Sequence, residues 1–140
     1  MADNTLCTMN IVLFNKFTAV DASVYIPTNL ERCFFHLERK NSDSSEIGTL
    51  APKGSALIPD TSLSEKTLVP PKEWSTLGLE YILAHRELIT LNFDDLVALG
   101  TSADGVFKIG EIEEKFEFFS VREFTHNKLG SISSYFIRGV

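Results

Sequence analysis

The chain has little of what catalytic and metal centres are usually built from. Its three histidines, His36, His85 and His126, are far apart, and none has a partner at metal-ligand spacing such as His-x-x-x-His. No Gly-x-Ser-x-Gly occurs, so there is no nucleophile elbow. Gly48 to Ser55 reads Gly-Thr-Leu-Ala-Pro-Lys-Gly-Ser, which puts lysine and the second glycine in the wrong order for a phosphate loop. These absences point away from metal-dependent, serine-nucleophile and nucleotide chemistry. No cofactor, no metal and no catalytic residue is expected.

Cationic runs are also missing. The thirteen Lys and Arg are scattered, with no run beyond Arg39-Lys40, and the formal net charge is −6. Nucleic-acid binding needs a basic stripe that releases counterions from phosphate, so nucleic acid is not an expected partner. Anionic membranes are disfavoured on the same ground. The longest apolar run near the amino terminus, Ile11-Val12-Leu13-Phe14, is far too short to span a bilayer. Met1-Ala2-Asp3-Asn4 carries no basic n-region, and no Asn-x-Ser/Thr sequon occurs, so the expected location is cytoplasmic.

Cysteine is limited to Cys7 and Cys33. Alternation places Cys7 with Met9, Ile11 and Leu13, and Cys33 with Phe35 and Leu37. Both faces are apolar, which predicts two reduced, buried thiols, with a disulfide as the alternative. A catalytic thiol would need an electropositive, partly exposed site.

What the chain does have is period-2 patterning. Val20, Ala22, Val24 and Ile26 alternate with Asp21, Ser23 and Tyr25, as in a strand with one buried face. Strands are predicted over 6–14, 18–26 and 30–39, with Asn15-Lys16 and Pro27-Thr28-Asn29 as breaks. Two short strands flank Pro52-Lys53-Gly54, read as a tight turn. Leu79 to Ala84 reads as a strand. So do Val106 to Ile112, Lys115 to Phe124 and Ser131 to Ile137, with a polar turn over 125–130. One short helix is expected near 92–99, with Asn92 as cap, Asp94 and Asp95 in its first turn and Gly100 closing it. Eleven phenylalanines suit a β core. The expected fold is one mainly β domain over 1–140, an antiparallel β-sandwich or partly open barrel.

Three groups of residues stand out as a candidate partner surface. Phe34 and His36 share the outward face of a predicted strand with Arg32. Glu111, Glu113, Glu114 and Glu117 form an acidic run, read as a solvated turn rather than a catalytic carboxylate pair. Phe118 and Tyr135 lie on strands with rings on both faces, which implies a second layer or another subunit. The leading expectation is therefore a non-enzymatic binding module for a protein or glycan, forming a homodimer or higher oligomer. An acidic inhibitor or immunity-type protein that neutralises a basic enzyme or toxin is the alternative. A hydrolase using one of the three histidines is a weaker one.

Overall fold

The computed structural model describes residues 7–18, 22–38, 53–129 and 132–140. The strands are β1 (Met9–Thr18), β2 (Ser23–Leu37), β3 (Gly54–Pro59), β4 (Thr67–Leu68), β5 (Leu88–Ile89), β6 (Leu96–Leu99), β7 (Phe118–Leu129) and β8 (Ile132–Gly139). The helices are α1 (Pro71–Trp74), α2 (Leu79–Ala84) and α3 (Ile109–Lys115), and a 3-10 turn covers Asp60–Leu63. Six strands close into a barrel in the order β1-β2-β3-β8-β7-β6, while β4 and β5 form a separate parallel pair. Every pairing around the barrel is antiparallel. The mainly β, antiparallel expectation holds. The six strands form one closed wall, in which β3 meets β2 only from Phe34 onward.

The run Ile11 to Phe14 shows how the wall is built. Ile11 and Leu13 point into the barrel and join Leu30, Phe35, Val97, Phe119 and Ile137 in the main core. Val12 and Phe14 point outward and are covered by Ile112 of α3, Phe107 and Phe116. Phe14 meets Phe107 and Phe116 edge-on, at centroid distances of 5.8 and 5.4 Å. A strand buried on both faces reads as a continuous apolar run, as this one does. A third cluster packs Trp74 of α1 and Ile82 of α2 against Ile26 and Val69.

Several local expectations are corrected. Asn15-Lys16 is not a turn: β1 continues through it to Thr18. Pro27 does not break β2, because it lacks only an N–H that faces away from β1. Two residues earlier, both backbone groups of Tyr25 likewise turn from β1 and bond Phe107. Gly54 is not in a turn but opens β3, where a Cβ would lie 2.3 Å from the Phe119 ring. Residues 47–52 of the same predicted unit, and the alternating residues 19–21, lie outside those described. β7 runs on through the predicted polar turn to Leu129.

The short helices lie elsewhere than 92–99. Leu96–Leu99 is β6, paired with β1 on one edge and β7 on the other. Asn92 to Asp95 forms a turn in which Asp94 takes a φ of 75°, and the Asp95 N–H bonds the Asn92 carbonyl. The predicted strands at 79–84 and 106–112 give way to α2 and α3. In α3 the Glu111 carboxylate accepts the Lys108 N–H at 2.9 Å and closes the first turn. Each of these helices has a single buried side chain, Ile82 or Ile112. With so few buried positions, a 3.6-residue period has no repeat to register.

Candidate binding surfaces

The strand register sorts the predicted partner residues into separate places. Phe34 of β2 lies opposite Leu57 of β3, which lies opposite Phe136 of β8, and that residue in turn faces Thr125 of β7. Their neighbours Phe35, Ala56 and Ile137 fill the barrel, so this row points outward. All three apolar members are only partly buried. His36, exposed, sits in the next row, opposite Ser55 and in line with Arg138 and Glu123, which form an ion pair at 3.6 Å. The helices pack elsewhere: α3 covers β1 and β6, and α1 and α2 pack against Ile26 and Phe17.

Glu111, Glu113 and Glu114 are on α3, not on a strand, and are exposed with Glu117. Phe118 begins β7 and packs into the cluster beneath α3. This acidic group and the Phe34 row occupy different parts of the wall, so the structure does not bring the predicted residues into one patch. Tyr135 belongs to neither. It pairs with Ile58 and His126 and packs against the main core.

Tyr135 stacks on His126 with ring centroids 4.1 Å apart and planes 10° from parallel. His126 Nε2 is 3.1 Å from both carboxylate oxygens of Asp60. Burial, and then the Asp60 charge, raise the Tyr135 phenol above its ordinary range. Among the described residues no hydroxyl or thiol nucleophile is bonded to this imidazole, so a triad is not assembled. His85 instead stacks on Tyr81 and contacts its carbonyl, and His36 is remote on β2. Among the described residues, no group of three His, Cys, Asp or Glu could hold a metal ion. Both cysteines are free and buried. Cys33 pairs with Met9, which places Cys7 on a diagonal from it rather than opposite. Burial pushes the Cys33 thiol up to about 12 and raises Cys7 as well, the opposite of a reactive thiolate.

Two polar clusters were not singled out from the sequence. The first is internal. Asp95 accepts hydrogen bonds from the Lys16 N–H at 2.8 Å, Asn92 N–H at 2.9 Å and Asn15 Nδ2 at 3.0 Å. Asn15 Nδ2 also donates to the Thr90 carbonyl, and Asn15 Oδ1 accepts the Thr90 N–H. Asn15 is the inward position that continues Ile11 and Leu13, and this phase was its only trace in the sequence. The second cluster surrounds a cleft of about 240 Å³ lined by Pro27, Thr28, Asn29, Lys66, Arg86 and Asp104. No local spacing announces it, because its members come from four separate stretches of chain. No family model matches the chain, and neither a curated protein nor a solved structure matches it.

Proposed function

We propose that this chain is a non-enzymatic binding module that docks a protein on the outer wall formed by β2, β3 and β8, and that a second copy of the chain is such a partner. The observation that supports this is the cross-strand row Phe34–Leu57–Phe136, partly exposed and pointing away from the core. Rings and branched side chains in such a row gain most when another apolar surface excludes water from them. Sugar hydroxyls would need converging polar partners, and the three central side chains offer none, which favours a protein over a glycan. Charge favours this wall for self-association. The chain carries −6, so most faces of two copies repel, and the α3 side most of all. Here the row is bordered by an already paired Arg138 and Glu123, so a two-fold pairing meets mixed charge.

Light scattering at micromolar concentration tests this. The expected mass is twice the 15.6 kDa of the chain. Leu57→Asp is expected to return the monomer mass with an unchanged circular dichroism spectrum. A monomer mass that does not rise with concentration would overturn the second-copy reading.

A further inference from the structure

The cleft beside β2 carries an inference independent of the docking wall. The first half of β2 pairs with β1 alone, since β3 joins β2 only from Phe34 onward. Its other edge is closed by different groups in turn. Both backbone groups of Tyr25 bond Phe107. Pro27 offers only a carbonyl, which accepts from Arg86 Nη2. The Asn29 side chain holds the Ser102 backbone through two bonds, of 2.9 and 2.8 Å. Between these plugs the edge is left open as the cleft. Strand alternation turns the Asn29 backbone N–H to this same edge.

The charges around the cleft run against the rest of the molecule. Arg86 is held by Asp104 at 2.8 Å, but the Asp104 side chain is 76% exposed and its charge is spread into solvent. The Arg86 Nη1 atom is buried and has no hydrogen-bond partner. Lys66 lines the same cleft, and among the described residues its ammonium has no ion-pair partner. Two cations and one solvent-weakened carboxylate thus line a concave site in a chain of net charge −6. A concave, low-dielectric wall focuses such a field.

We infer that the cleft lined by Lys66, Arg86 and the Asn29 backbone is a binding site for a small oxyanion group, a phosphate or a carboxylate. Lys66 supplies a mobile point charge, Arg86 a fixed one braced against Pro27, and the Asn29 N–H a directional donor. Asp104 opposes the anion and limits its affinity.

Inorganic phosphate and acetate, titrated at constant ionic strength while amide NMR shifts are followed, test this. Saturable shifts are expected at Thr28, Asn29, Lys66 and Arg86. A response to phosphate alone identifies the phosphoryl group, and one to acetate alone the carboxylate. Lys66 takes no part in bracing the loop, so Lys66→Ala is expected to fold normally and to weaken binding about tenfold, the loss of one charge-assisted contact. Asp104→Asn is expected to tighten binding, whereas a purely structural role for the Arg86–Asp104 pair would leave it unchanged. Absence of saturation with both anions would overturn the inference. So would saturation that Lys66→Ala leaves intact.

Discussion

The buried carboxylate of Asp95 predicts an unusual dependence of stability on pH. The side chain is 1% exposed. Burial pushes its carboxyl up to about 7, against the opposing pull of the Lys16, Asn15 and Asn92 donors, and the nearby Asp94 charge adds slightly to the rise. The unfolded chain releases this proton near 3.8, its ordinary value. Between these two values the folded state binds more protons than the unfolded state. The contribution of Asp95 is therefore fully present below the unfolded value and is lost as pH rises through about 7. The slope approaches roughly 1.4 kcal/mol per pH unit across the window. Asp95→Asn removes the titration while keeping the shape. Its amide can still accept from two of the donors, but it sets an N–H₂ against the third, which costs about 1–3 kcal/mol at low pH. Urea unfolding of both proteins, at closely spaced pH values from 4 to 8, is the assay. Subtracting the variant's profile removes the titration of the surface acids. The stability of the native chain minus that of the variant is expected to be positive at acid pH and to fall by roughly 4 kcal/mol across the window, changing sign before neutrality. A difference that instead grows with pH would refute the reasoning, because it would mean that the three donors outweigh burial and hold Asp95 ionised.

Other substitutions probe the barrel wall. A Cβ on Gly139 would lie 1.7 Å from the Ser120 carbonyl oxygen, so Gly139→Ala is expected to destabilise by about 1–3 kcal/mol in urea melts. Phe14→Ala empties the junction between β1 and α3 and is expected to cost about 3–5 kcal/mol. Cys7 and Cys33 should react slowly with a thiol reagent in the folded protein and completely in denaturant. A sample never exposed to reductant that shows no titratable thiol would indicate a disulfide. Cys33→Ala is expected to lower stability by about 1–2 kcal/mol through lost apolar contact.

Part of this molecule was legible because strand periodicity is local. Alternation through Phe35 and Leu37 marks an inward face whichever strand lies beside it. The apolar run Ile11 to Phe14 signals burial on both faces without naming the layers. Leu96 to Leu99 shows the limit of that reading. A short apolar run after Asn-Phe-Asp-Asp satisfies the signals of a capped helix and of a buried strand equally. Pairing with β1 and β7 decided for the strand. In α3 the helix is favoured by local capping and by the fit of Ile112 beneath Phe14, and the second of these is a contact at long range.

By itself the sequence determined a mainly β chain, acidic, with buried thiols and an excess of apolar rings over what one sheet face can hide. Tertiary structure alone decided that six strands close on one another and that α3 covers Phe118 while Phe34, Leu57 and Phe136 stay outside. It also brought Asn15 to Asp95 across 80 positions and Arg86 to Pro27 across 59. The physical reason is common to all of these. Periodicity records which face of an element is withdrawn from water, whereas partners are chosen by register and closure, and these join residues that no local pattern connects.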